Sequence, residues 1–251
     1  EIVKDLFQKN QQSVLKIIES VFNEIDKFLK LNKENDYNFI YDQLVSYGEI
    51  LSSVIISEYL NSIGLKSKWV DARSCIKTDQ YYRDANVDFE KTSKSIKRKI
   101  KGKGLFISQG FIGSNKKSYT TTLGREGSDY SAAIFAHALN AESVTIWKDV
   151  RGVLNADPRY FNKTKLLNKI SYEEAIELAF YGASVIHPKT LQPLKKKMIP
   201  LYVRSFLSPS REGTVISKKD HKVKDIPSHI VKWNRVLLKI SSKDFSFIVE
   251  K

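Results

Sequence analysis

Thr120-Thr-Thr-Leu-Gly-Arg-Glu-Gly-Ser-Asp-Tyr-Ser-Ala-Ala-Ile134 begins as a row of small hydroxyls. It passes through a Gly-Arg-Glu-Gly-Ser-Asp turn and enters an apolar, Ala-rich stretch of helical character. Gly124 and Gly127 permit backbone angles and close approaches that a side chain would forbid. Ser128 and Asp129 are good N-cap residues for a helix running from Asp129 to about Leu139. A helix N-terminus presents free N–H groups and a partial positive charge, which suits an anion. Arg125 adds a guanidinium fork for a carboxylate or phosphate. Asp129 brings a negative charge to the same turn, which suits a cation or a substrate amino group. A well-capped helix after a tight turn explains Gly-Ser-Asp alone. The arginine and the preceding hydroxyls tip the reading towards an anion site.

Upstream, residues 3–31 carry Val14, Ile17, Ile18, Val21, Phe22, Ile25 and Phe28 at three- and four-residue spacing, which predicts one helix. A second helix is expected from about Tyr41 to Leu60, with Leu44, Ile50, Leu51, Val54 and Ile55 inward. Gly48 within it is unfavourable by about 1 kcal/mol against alanine and needs a reason, such as close packing or a ligand. By pattern alone Glu49 is a surface helix glutamate, with binding of a substrate ammonium group as the alternative. Lys68–Ala72 reads as a short strand, and Arg73–Asn86 as loop. Gly104–Gln109 reads as a compact buried strand. It ends in Gly110-Phe-Ile-Gly113, which with Ser114–Ser118 looks like a strand end opening into a loop over a ligand. His137, mid-helix among alanines, reads as a packed or satisfied histidine.

Downstream, Ser143–Val150 is a strand whose end, Lys148-Asp149-Val-Arg-Gly152, leads to Asp157-Pro-Arg159. Ligands collect at the carboxyl ends of strands in open α/β sheets, so this is a second ligand-binding edge. Ser171-Tyr-Glu-Glu174 is a capping box for a helix ending near Tyr181-Gly182. A further helix to about Lys197, a strand Ile199–Val203 and a strand at Arg211–Ile216 follow. Ile230–Ile240 reads as one more strand, and Ser241–Val249 as the start of a helix. Alternating strands and helices imply an α/β fold, a three-layer αβα sandwich with a mainly parallel sheet.

The composition is that of a soluble globular chain of one or two domains. No apolar run is long enough for a membrane span, and no secretory signal is visible at the start. Cys75 is the single cysteine, so no internal disulfide forms and a reducing, cytoplasmic setting fits. The net charge of +14 would suit nucleic acid or anionic small substrates. The excess is spread along the chain, and its densest run, Lys94–Lys103, holds no aromatic for base stacking. It reads as a solvated face, and no nucleic-acid partner is expected.

Thr120–Asp129 resembles the Thr-Thr-Leu-Gly-Arg-Gly-Gly-Ser-Asp signature of aspartate kinases, in the amino-acid kinase superfamily, with Glu126 at the usual second glycine. Ser46-Tyr-Gly-Glu49 resembles the segment where that family holds its amino-acid substrate, which moves Glu49 from surface residue to ligand. Lys148–Arg159 is similar to the family's Thr-Asp-Val-x-Gly…Asp-Pro-Arg segment, which lines the ATP site. The resemblance covers about residues 40–216. It implies ATP-dependent phosphorylation of the side-chain carboxylate of L-aspartate, with Mg²⁺ bridging the β- and γ-phosphates. It assigns Arg125, Glu49, Gly127 and Ser128 to the amino acid and Asp129 to catalysis. Lys148, Asp149, Leu154, Arg159, Ser184 and Val185 go to the nucleotide, and none to a metal.

Several positions depart from the family. Lys148 stands for a usual threonine, Leu154 for a common tyrosine and Ser184 for a frequent lysine, each changing a nucleotide contact. The opening Lys-Phe-Gly-Gly-Thr-Ser segment and the next strand have no counterpart. The expectation is therefore a catalytic domain over 1–220 lacking its first strands, then a linker and the first strand of an ACT-like regulatory domain over 221–251. Taken alone these residues are expected to be nearly inactive, and assembly into a homodimer or larger homo-oligomer is expected through the rest of that region. The competing readings are a sibling kinase of glutamate, acetylglutamate or a nucleotide, a non-catalytic regulatory protein, and a basic RNA-binding domain.

Overall fold

The computed structural model describes residues 1–8, 11–182, 185–218, 226–234 and 236. The expected first helix is two, α1 (Ile2–Leu6) and α2 (Gln11–Leu31). The chain breaks because Phe7 is extended and turns inward to 2% exposure. It packs with Val3 and Val14 against Ile18, Ile55 and Tyr59. Helix α3 (Tyr37–Ser62) starts earlier than expected, because the Asp36 side chain caps it by accepting from the Asn38 N–H at 2.9 Å.

Strand β1 (Ser67–Val70), α4 (Ala72–Cys75), α5 (Phe89–Lys99) and β2 (Leu105–Ser108) follow. Helix α4 occupies the start of the expected loop at 73–86. The lysine run falls largely on α5, whose Ile96 is buried while Lys94 lies in solvent. β1 and β2 pair in parallel as a two-stranded sheet against α3, so the strand expected to be buried is not: Leu105 is 42% exposed. Gly110–Ser118 is no simple loop either. It opens a hairpin of β3 (Ile112–Ser114) and β4 (Thr120–Thr122), paired antiparallel.

The remaining elements are α6 (Gly127–Leu139), β5 (Val144–Lys148), β6 (Lys169–Ser171), α7 (Tyr172–Tyr181), α8 (Pro188–Lys197), β7 (Leu201–Ser205) and β8 (Thr214–Ser217). They form a four-stranded sheet in the order β5-β7-β8-β6. β5/β7 and β6/β8 are parallel and β7/β8 antiparallel. The short connection 206–213 carries no crossover helix, so β8 returns antiparallel. The sheet is thus more mixed than expected within an α/β architecture. The largest core lies here, where Leu201, Val203 and Ile216 meet Ala133 and Ala136 of α6, Tyr172 of α7, and Leu191 and Leu194 of α8. A second core joins α5 and α6 through Ile96, Tyr130 and Ile134.

The capping box at Ser171 is present with both of its hydrogen bonds, and α7 ends at Tyr181 as expected. Residues 226–234 lie on the loop after β5: the His229 N–H donates to Asn155 O at 2.7 Å, and Trp233 stacks edge-on against Tyr160. Residues 230–234 are not a strand; the rest of the strand and helix expected over 230–249, apart from residue 236, lies outside the described residues. A cavity of about 560 Å³ between β6, α7 and residues 226–230 is lined by none of the expected site residues. Among the described residues, no helix is long and apolar enough to cross a membrane.

Candidate active site

The hydroxyl run is structural. Thr120, Thr121 and Thr122 are buried. The Thr121 and Thr78 hydroxyls bond at 2.7 Å, and Thr122 Oγ1 donates to Asp42 Oδ1 at 2.8 Å. Asp42 Oδ2 also accepts from the backbone N–H groups of Thr122 at 2.8 Å and Arg83 at 3.0 Å. Burial pushes the Asp42 carboxyl up, against these donors, which favour its charged form. Next to it, Gln43 bonds both ways with the backbone of Thr120, so its amide extends the edge of β4. Two polar residues of α3, neither singled out by the sequence, thus fix the strand that feeds the turn.

Beyond β4 the turn lies against the Gly110-Phe-Ile-Gly113 segment. A Cβ on Gly110 would come within 2.8 Å of Ser128 Cα, and one on Gly127 within 2.6 Å of Phe111 Cδ2. Glycine is required at both positions so that the two segments can touch. Phe111 is held at φ 68°, its N–H donating to Ser131 Oγ at 2.9 Å. It also packs against the apolar cluster that includes Ile50 of α3, the residue after Glu49. One phenylalanine therefore lies between the helix that carries Glu49 and the turn that carries Arg125.

Ser128 and Asp129 are not the N-caps. Helix α6 starts at Gly127, and its N-cap is Glu126, with φ 52° and no side-chain cap bond. Ser128 and Asp129 lie in the first turn. Arg125 is exposed, and Glu49 is partly buried on α3. Among the described residues, neither side chain forms a hydrogen bond or ion pair. Gly48 is not explained by packing, since a Cβ there meets nothing within 4 Å.

Glu126 holds the left-handed conformation expected of the glycine it replaces, at a cost of about 1 kcal/mol. What it gains is a bond: Glu126 Oε2 accepts from the His187 N–H at 2.8 Å, at the N-terminus of α8. The carboxylate complements that helix end and ties the turn to α8. We expect Glu126→Ala to destabilise the fold by about 1–2 kcal/mol, losing the bond and keeping the strain. Glu126→Gly should lose less, because the strain goes with the bond. Thermal melts of the two variants check the order, and an alanine variant as stable as the glycine one would refute the latch.

At the other edge, Lys148 ends β5 and its Nζ lies 2.8 Å from Asp129 Oδ2, with the two side chains 21% and 16% exposed. The structure thus joins one expected nucleotide residue to the expected catalytic residue. The others stand apart from this pair. Asp149 is exposed beside it, and Arg159 is ion-paired locally to Asp157 at 2.6 Å. Leu154 bridges to Leu166, and Val185 packs against the largest core. Ser184 lies outside the described residues. Among those described, no cluster of three or more His, Cys, Asp or Glu could hold a metal ion. His137 is packed edge-on against Phe89 at 5.5 Å with its Nδ1 unpartnered, so it is packed rather than satisfied.

The start of α6 and the carboxyl end of β5 thus meet at the Lys148–Asp129 pair within an α/β fold. The sequence matches the Amino acid kinase family over residues 3–205, and the chain belongs to that family. It is 37% identical over 204 residues to lysine-sensitive aspartokinase 3 of Escherichia coli, covering 80% of this chain and 45% of that protein. It is 36% identical to the chloroplastic aspartokinase 1 of Arabidopsis thaliana, covering 80% of this chain and 37% of that one. The crystal structure of E. coli aspartokinase III with aspartate and ADP superposes with a TM-score of 0.79 at 35% identity, covering 85% of this chain and 48% of that chain. The chain thus spans about half the length of these relatives or less. UMP kinase from Ureaplasma parvum, at 17% identity and a TM-score of 0.50, shares the fold.

Proposed function

We propose that this protein transfers the γ-phosphoryl group of ATP to the side-chain carboxylate of L-aspartate, giving β-aspartyl phosphate and ADP. The observation that supports this reading is a pair of charged side chains, Glu49 on α3 and Arg125 in the turn, with no hydrogen-bond or ion-pair partner among the described residues. Glu49 suits an ammonium group and Arg125 a carboxylate, the two groups of an amino acid's α-carbon. The β-carboxylate is then assigned to the N–H group of Ser128, since the Gly127 N–H already donates to Gly124 O at 3.0 Å within the turn. It is already an anionic nucleophile and needs no general base, so the residues have only to position it and neutralise charge. Asp149, Leu154, Arg159, Ser184 and Val185 are assigned to the nucleotide on the likeness to the family. The described carboxylates do not fit a protein-built Mg²⁺ site, because Asp129 is already ion-paired; no step is assigned to the metal. Division of the chain near residue 220 and self-association belong to the same reading.

The test is aspartate-dependent release of ADP by the full-length protein, with glutamate, N-acetylglutamate and UMP as alternative acceptors. Aspartate should be preferred. Release that is independent of aspartate, or faster with another acceptor, would overturn the reading.

Burial raises the carboxyl of Glu49 above its ordinary 4.5. With a raised folded pKa, the stabilising contribution is complete below 4.5 and is lost as pH rises through the folded value. A bound ammonium group favours the ionised form and reverses the shift. Aspartate binding near pH 5 should therefore release a fraction of a proton. Titration calorimetry in buffers of different ionisation enthalpy reads this directly. Glu49→Gln should abolish the release, and a release that persists in that variant would remove Glu49 from the site.

A further inference from the structure

We propose that Lys148 is the cation that meets the transferring phosphoryl group, and that Asp129 holds it in place between turnovers. The inference rests on the aspartate kinase reading. Asp129 Oδ2 is buried and makes no well-aligned hydrogen bond, although Lys148 Nζ is 2.8 Å away. The carboxylate is thus compensated by charge alone, without directional bonds that would fix the ammonium to it. A phosphate oxygen arriving beside the pair offers a stronger acceptor to an ammonium that has donors to spare.

The location fits the role. Lys148 stands at the carboxyl end of β5 and Asp129 in the first turn of α6, so the pair spans the two edges to which nucleotide and amino acid are assigned. Three other cations named for this region have partners or assignments of their own. Lys189 Nζ is 2.8 Å from Asp84, donates to Leu123 O at 3.2 Å and lies over the Tyr130 ring. Arg159 is paired with Asp157, and Arg125 is assigned to the α-carboxylate. The threonine usual in the family at this position carries no charge. A lysine changes the electrostatics of the site rather than filling the same space.

In the transfer, an aspartate β-carboxylate oxygen forms a bond to Pγ. The bond from Pγ to the β,γ-bridging oxygen breaks, and its electron pair leaves with ADP. No proton moves, so Lys148 remains an ammonium throughout and acts by neutralising charge on the equatorial oxygens.

The test compares Lys148→Met, Lys148→Arg and the double variant Lys148→Met/Asp129→Asn. The double variant carries no stranded buried carboxylate and guards against simple unfolding. We expect Lys148→Met and the double variant to lose about 100-fold or more in kcat, with the KM for aspartate within about twofold. Lys148→Arg should keep more than about a tenth of wild-type kcat. By calorimetry the methionine variant should bind a non-hydrolysable ATP analogue about tenfold more weakly and ADP unchanged. A kcat within about threefold of wild type in either methionine variant would reduce Lys148 to a structural ion pair. So would equal losses for ADP and the analogue. Full-length wild-type protein that releases no ADP with aspartate would instead refute the substrate assignment, and the ADP-versus-analogue comparison would still decide whether Lys148 reaches the γ-phosphate.

Discussion

Replacing Arg125 with alanine should raise the apparent KM for L-aspartate by about 10- to 100-fold, while the KM for ATP stays within about twofold. Charge-assisted hydrogen bonds contribute about 1.5–3 kcal/mol, and each 1.4 kcal/mol is a factor of about ten. Arg125 is exposed on the turn and free of partners among the described residues, so its removal leaves nothing stranded in the fold. The loss should therefore fall on the ligand and not on stability. Lysine at this position should recover only part of the affinity, because an ammonium lacks the planar fork that matches a carboxylate. Steady-state kinetics with each substrate varied in turn decide the point. Equal rises in both KM values would place Arg125 between the substrates or on the nucleotide, and an unchanged KM for aspartate would remove it from the site.

The turn itself was legible because its chemistry is local. Glycine spacing, a guanidinium and a helix start are all read within ten residues, and for the same reason the limits of β5, α7, α8, β7 and β8 lie close to those expected, whereas the three-residue strand β6 has no sequence signal and is not expected. The hydroxyl run was misread because its partners are distant in sequence. Nothing near Thr122 announces that Asp42 lies beneath it. Helix α3 hid this in its own pattern, since its buried face includes Asp42, Gln43, Ser46, Ser53 and Ser57. An apolar periodicity search passes over such a face, although small polar residues recurring at helical spacing were a readable sign. The break at Phe7 was missed because one inward aromatic ended a helix whose pattern continued on both sides. Glu126 was noticed only as a departure from a glycine, since its partner, the His187 N–H, is a backbone group that sequence cannot mark. The Lys148–Asp129 pair joins two residues each singled out for a different ligand, and only the fold brings them together.

Asp42 provides the second large effect, and a pair of substitutions separates its charge from its hydrogen bonding. Asp42→Ala removes the acceptor for the N–H groups of Thr122 and Arg83 and for the Thr122 hydroxyl, at a position with no exposure to solvent. A buried polar group left unsatisfied costs about 1–3 kcal/mol, so a net loss of about 3 kcal/mol is expected, read as a fall in denaturant midpoint. Asparagine behaves differently. With its carbonyl in the place of Oδ2 it accepts from both backbone N–H groups, and its amide donates to the Thr122 hydroxyl, which rotates to accept. It also avoids burying a charge, the cause that raises the Asp42 carboxyl. Asp42→Asn should therefore stay within about 1 kcal/mol of wild type, and Thr122→Val should lose about 1 kcal/mol through the hydroxyl alone. Because Asp42 sets β4 against the helix that carries Glu49, the alanine variant should also weaken aspartate binding, although no part of Asp42 is assigned to the ligand. An asparagine variant as unstable as the alanine one would mean that the carboxylate charge, rather than its accepting geometry, holds α3 to β4.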